Sequence, residues 1–190
     1  MKKLINMAVF CGAKTGSKPE YIEIASKLGL ELANRGIGLV YGSGGNGLMG
    51  AVAKSTSNNG GLQVIGITTS LVILKEQGIM SPYNTHTEIK GTIHERKRLL
   101  ADLADVVCVL PGGSGTLDEF ADVLCRQSIG EVNKPMFVVN HEGFYDPLRD
   151  LLNRLKDEGF ANENMEEKLY FVKNIDEMFE VLKNKLDFMV

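Results

Sequence analysis

Apolar residues along this chain fall into two rhythms. Short unbroken runs rich in valine and isoleucine occur at Leu4–Phe10, Ile37–Tyr41, Leu62–Ile67, Asp105–Leu110 and Pro135–Asn140, each closed by glycine or polar residues. Unbroken rather than alternating hydrophobicity marks strands covered on both faces, as in a parallel sheet. Between the runs lie helical patterns at 19–36, 46–61, 92–105, 115–130, 145–159 and 174–186. Pro19 opens the first of these and Gly36 closes it, the usual asymmetry of a helix's two ends. The weakest region is Thr68–Gly91, where Thr85–Ile89 reads as a short strand and the rest as irregular. Strands alternating with helices of this length predict an α/β fold: a doubly wound, mostly parallel sheet in a Rossmann-like three-layer sandwich. No repeat, low-complexity tract or linker breaks the pattern, so residues 1–190 are expected to form a single domain.

Composition fits a soluble globular protein, with 44% hydrophobic and 24% charged residues. A net charge of −3 argues against a general nucleic-acid binder, which would carry a basic surface. The three cysteines, Cys11, Cys108 and Cys125, are odd in number and show no CxxC spacing. They read as buried, reduced thiols rather than a disulfide framework. The opening "MKKLINMAVFCG" loses its apolar run too early for a signal peptide, and no segment approaches the ~20 apolar residues of a membrane span. The expectation is a cytoplasmic protein with no membrane partner.

The glycines change the picture. In a doubly wound sheet, ligands bind beyond the carboxyl ends of the strands, where loops run into helix N-termini. Three glycine-bearing loops fall at that edge: "CGAKTGS", "YGSGGNGLMG" and "PGGSGT". Unpaired N–H groups and a partial positive charge at a helix start suit phosphate. In the third loop Gly112, Gly113 and Gly115 let backbone approach an anion, while Ser114 and Thr116 offer hydroxyl donors. A plain turn would need one glycine and one cap.

A dinucleotide site is the obvious rival, since Gly42–Gly47 matches GxGxxG. That match follows the second strand, and the third strand ends "GITTS", with no acid to hold a ribose 2′-hydroxyl. No Walker A motif is present; "GAKTGSK" has the wrong spacing. The "HERKR" run at 94–98 opens a helix with Arg96 and Lys97 against the dipole preference for acids, tolerable where they face an anion. Its plain alternative is the solvated face of an amphipathic helix. His86, His94 and His141 are scattered without metal-ligand spacing, and no GxSxG elbow or cofactor lysine site occurs. Neither a metal nor a cofactor is expected.

Together "VFCGAKTGSKPEY", "VYGSGGNGLMGAVA", "IHERK" and "PGGSGTLDE", in this order along the chain, resemble the motifs of the Lonely Guy family, the cytokinin riboside 5′-monophosphate phosphoribohydrolases often mislabelled lysine decarboxylases. The resemblance covers roughly residues 5 to 160. It implies a Rossmann-like nucleotide-binding domain, forming a homodimer, that cleaves the N-glycosidic bond of N6-modified AMP to free base and ribose 5-phosphate. The family's functional arginine and glutamate fall on Arg96 and Glu119. Ser114 stands where the family usually has an aromatic residue, Cys125-Arg126 where it has Thr-Trp, and Ile93 where it has methionine.

On this reading Glu119, in the first turn of the phosphate-holding helix, stabilises an oxocarbenium-like ribose. Asp118 points about 100° away around the helix. Arg96 binds phosphate or the departing purine, Lys97 adds charge, Glu76 contacts the base and Met49 packs on the purine. Each has a plainer alternative: a surface acid for Glu76, a core side chain for Met49. Two further readings stand beside this one, a nucleosidase acting on plain AMP and a non-catalytic nucleotide carrier or sensor of the same fold.

Overall fold

A computed structural model describes residues 2–3, 5–61, 63–75, 80–161, 167–186 and 188–189. Its strands are β1 (Lys2–Lys3), β2 (Asn6–Phe10), β3 (Gly38–Tyr41), β4 (Val64–Thr69), β5 (His86–Lys90), β6 (Val106–Val109), β7 (Met136–Val139), β8 (Leu169–Val172) and β9 (Phe188–Met189). Its helices are α1 (Glu20–Arg35), α2 (Gly47–Asn58), α3 (Ser70–Lys75), α4 (Ile93–Asp102), α5 (Ser114–Ser128), α6 (Asp146–Asp157) and α7 (Ile175–Asn184). Seven strands form one parallel sheet in the order β5-β4-β3-β2-β6-β7-β8, and β1 pairs with β9 apart from it.

Burial explains why the central runs are continuous. Met7 and Val9 of β2 join a cluster with α1, α2 and α7, while Ala8 and Phe10 face a second cluster built by α4, α5 and α6. A strand with apolar layers on both sides needs apolar residues at every position. The result is the expected three-layer sandwich.

Strand order sets the place of any site. After β2 the chain winds outward through β3, β4 and β5, then returns so that β6 pairs with the other edge of β2. Loops leaving β2 and β6 therefore diverge to opposite faces, opening a crevice at their carboxyl ends.

The departures from the sequence reading are local. The expected mostly parallel sheet is borne out, with every strand pairing of the main sheet parallel among the described residues. The run at Leu62–Ile67 forms its strand two residues later, at Val64–Thr69, with Leu62 outside the described residues, as is Leu4. The short strand read at Thr85–Ile89 is β5, a partly exposed edge strand. Strand β8 had no signal: it is the other edge, four residues long and only half covered, and it owes its form to pairing with β7. Helix α3 buries no side chain fully, and its unbroken run Leu71–Leu74 has no helical period to read. Cys11 and Cys108 are buried, but Cys125 is exposed on α5.

Helices α1 and α2 meet at Gly29. A Cβ there would come within 2.5 Å of the Val52 carbonyl oxygen, 2.8 Å of Ser55 Cβ and 2.9 Å of the Thr56 amide nitrogen. Alanine gains about 1 kcal/mol of helix propensity over glycine, but overpacking against backbone costs about 1–3 kcal/mol. Gly29→Ala is therefore expected to lower stability, read as an earlier urea midpoint. A later midpoint would mean that the two helices can separate at no cost.

Candidate active site

The crevice between β2 and β6 is a cavity of about 660 Å³. Its wall brings together Met49, Arg96, Glu119 and the run Gly112, Gly113, Ser114, Gly115 and Thr116. Val72 and Ile93 lie at the β4–β5 side, Tyr21 and Phe144 at the β7 side.

The three glycine loops do different work. Helix α2 does not present its first N–H groups to a ligand: Leu48 and Met49 donate to the Gly12 carbonyl at 3.0 and 3.3 Å. Gly47, at φ +59°, sits against the Ala13 carbonyl and the Lys14 nitrogen, where a Cβ would collide with backbone. The second loop is thus the seat of the first. The Gly12 amide in turn donates to Pro111 at 3.0 Å, tying the first loop to the third.

Helix α5 is open. Gly113 caps it in an extended conformation with no side-chain cap bond, which leaves its first-turn N–H groups to the cavity. Gly112 is required by packing, since a Cβ would come within 2.7 Å of Thr116 Cβ and 2.9 Å of the Gly12 nitrogen. Nothing lies within 4 Å of a Cβ at Gly113 or Gly115, so those two keep the approach to the amides clear. Ser114 is exposed beside them and Thr116 is buried beneath. Partial positive charge gathers at such an end.

Arg96 and Glu119 form the buried centre, at 8% and 9% exposure. Arg96 donates from NH1 to Glu119 Oε1 at 2.8 Å and from Nε to the Ile67 carbonyl at 2.9 Å, and NH2 lies 3.5 Å from the Gly42 carbonyl. Gly42 has no room for a Cβ, which would strike that NH2 and Met49 Sδ. The next residue, Ser43, is buried at φ +67° and held there by the Ser81 amide and Asn84 Nδ2. Surroundings that hold such a strained backbone also fix the Gly42 carbonyl beside Arg96.

Burial pushes the Glu119 carboxyl above its ordinary value of 4.5, Arg96 pulls it down, Asp118 adds to the rise and Lys97 opposes it; the net direction is up. The Cys11 thiol in the same wall is raised by burial and then by Glu119.

Lys97 lies elsewhere. Its ammonium meets Asp118 at 2.8 Å and Asp122 at 3.4 Å, with its side chain 10% exposed, so it laces α4 to α5 outside the cavity wall. The next residue on a helix points about 100° away, and with Arg96 turned inward Lys97 cannot follow. Asp118 is turned from the cavity for the same reason. Glu76 lies outside the described residues.

Sequence reasoning missed Cys11, Lys14, Tyr21, Val72, Ile93 and Phe144 in the wall. Cys11 and Lys14 sat in a loop already singled out; Tyr21 and Phe144 come from distant segments that only the fold brings together. Among the described residues no group of three or more His, Cys, Asp or Glu side chains could hold a metal ion. No helix among them is long and apolar enough to cross a membrane.

A family described as "Possible lysine decarboxylase" matches residues 49–184. The cytokinin riboside 5′-monophosphate phosphoribohydrolase LOG of Oryza sativa subsp. japonica is 39% identical over 158 residues, which cover 83% of this chain and 64% of that protein. The phosphoribohydrolase LOG7 of Arabidopsis thaliana is 35% identical over 179 residues, 93% of this chain and 80% of that one. Among solved structures, the molybdenum cofactor binding protein from Rippkaea orientalis superposes with a TM-score of 0.70 at 21% identity, over 98% of this chain and 99% of that one. At that identity the likeness establishes the fold alone.

The buried pair generates a test that needs no ligand. Arg96→Met leaves Glu119 without its opposing charge, a loss on the order of 3–5 kcal/mol for a broken buried pair. A carboxyl whose folded pKa is raised is favoured at low pH, and that advantage is lost as pH rises through it. The variant should therefore lose most stability at pH above the raised Glu119 value and recover part of it in acid. Arg96→Met/Glu119→Gln should recover part at all pH values, measured by urea denaturation. Equal losses for the single and double variants would mean that the two side chains are not coupled.

Proposed function

The chain belongs to the Lonely Guy family of phosphoribohydrolases, and from that premise we propose that it hydrolyses the N-glycosidic bond of a purine nucleoside 5′-monophosphate. The substrate class is AMP or N6-modified AMP, and the products are free base and ribose 5-phosphate. The observation that carries the reading is a buried, Arg96-clamped carboxylate one helical turn from the open start of α5.

On this proposal a nucleotide falls into three parts. Phosphate lies over the first-turn amides of α5, the ribose beside Glu119, and the base toward Met49, Val72 and Ile93. As the C1′–N bond breaks, positive charge grows on the sugar, and the Glu119 carboxylate stabilises it. A water then bonds to C1′, giving up a proton, while the departing base takes the bond's electron pair and a proton. Arg96 keeps the carboxylate ionised and aimed despite its burial. A carrier of the same fold would return its nucleotide intact.

The same reading includes a homodimer. Helix α5 buries Phe120, Val123 and Leu124 but leaves Leu117, Ala121 and Cys125 exposed along one stripe, four residues apart. Ile93 and Leu103 of α4 are also exposed. An apolar stripe beside the cavity supports a two-fold contact in which the partner completes the base end of the site.

Four measurements test the proposal. Incubation with AMP and N6-isopentenyl-AMP should release ribose 5-phosphate; recovery of intact nucleotide would favour the carrier. Glu119→Gln should cut turnover about a hundredfold or more while AMP still binds. Because the active form is the carboxylate and its pKa is raised, kcat should fall in acid with a limb above pH 4.5. A limb at or below that value would separate Glu119 from the reaction. Light scattering over a dilution series should show a two-chain particle, and a fully active monomer would remove the shared site.

A further inference from the structure

The cations expected to meet the 5′-phosphate are already engaged. This inference rests on the hydrolase reading, in which a group carrying a charge of about −1.5 to −2 at neutral pH sits over the start of α5. The guanidinium of Arg96 is matched by the Glu119 carboxylate, and two of its remaining donors are directed at the Ile67 and Gly42 carbonyls. Lys97 is held by Asp118 and Asp122 outside the cavity. Amides at a helix start bring partial charge only. The wall needs another full positive charge, and it contains one more cationic side chain, Lys14.

Lys14 is well placed for that work. Its loop is fixed at three points: Gly12 to Pro111, the α2 amides to the Gly12 carbonyl, and the Lys14 backbone against Gly47. The first of these lays the loop beside "PGGSGT", so the stem of Lys14 starts from a rigid backbone next to the α5 amides. Among the described residues the Lys14 ammonium makes no ion pair, whereas Lys18 in the same loop is taken up by Glu142 at 2.5 Å. With Arg96 and Glu119 cancelling, Lys14 alone gives the wall its net positive charge.

We infer that Lys14, rather than Arg96 or Lys97, is the cation that holds the substrate's 5′-phosphate. The alternative use of an exposed lysine, a solvated surface charge, makes no distinction between AMP and adenosine. Phosphate recognition does. The side chain is exposed, so its replacement leaves folding intact, which a melting curve checks.

The experiment compares Lys14→Met, Lys14→Arg and Lys97→Met with the wild type, using AMP and adenosine. KM and kcat come from product release and AMP Kd from calorimetry. A lost charge-assisted contact should raise KM and Kd for AMP about tenfold or more in Lys14→Met, with kcat nearly unchanged and adenosine unaffected. Lys14→Arg should restore most of the affinity, and Lys97→Met should leave AMP binding as it was. An unchanged AMP Kd in Lys14→Met, an equal loss on adenosine, or a selective AMP defect in Lys97→Met instead would overturn the assignment. A wild type that binds AMP but leaves it intact would sink the hydrolase reading alone, because the Kd comparison still decides Lys14.

Discussion

A guanidinium and a carboxylate buried together at the carboxyl edge of the sheet constrain everything around them. Taking either charge out of water costs several kcal/mol unless the other is present and the spare donors are satisfied. Arg96 meets that demand with Glu119 and the carbonyl ends of β4 and β3. Those acceptors come from three separate parts of the chain, so the pair can exist only when the sheet order and the α4–α5 packing are right. The glycine at 42 and the strained backbone at Ser43 follow from the same need, for they make room for the guanidinium and hold a carbonyl beside it.

From that centre the glycine loops separate into scaffold and site. One helix start, α2, spends its amides on the loop after β2; the other, α5, keeps its amides open. The open end therefore stands on a base that is itself hydrogen-bonded, and its glycines at 113 and 115 serve approach rather than packing. A phosphate bound there, as proposed, would require little movement of the protein, which favours affinity. It also lies beside an acid whose proton affinity is set by burial against one arginine.

Membership in the phosphoribohydrolase family and the shape of this crevice point the same way, yet this chain distributes its charges in its own manner. Lys97 stiffens the contact between α4 and α5, the two helices that carry the central pair. Arg126, where the family usually has an aromatic, extends that lacing to Asp102 and Glu131. These contacts keep Arg96 and Glu119 in register without touching a ligand. The apolar side chains left outside on α5 lie on the same helix, so a subunit contact and the site would share one support.

The sequence by itself determined the doubly wound fold, since strands covered on both faces must be apolar at every position and helices between them must carry one stripe. It also set Glu119 close to the "PGGSGT" turn, because both lie in one contiguous stretch, while a part for Glu119 in a reaction came from the family resemblance. Strand β8, half covered at the edge, and α3, with nothing fully buried, left no such pattern. Which lysine faces the crevice was decided only in three dimensions. Whether position 96 or 97 turns inward depends on how α4 packs, and whether a helix start is open or spent depends on which loop lies across it. Lys14, Tyr21 and Phe144 reach one wall only because β2, β6 and β7 are neighbours in the sheet. Neighbourhood between distant segments is fixed by the pairing of strands, and no local spacing of residues encodes it.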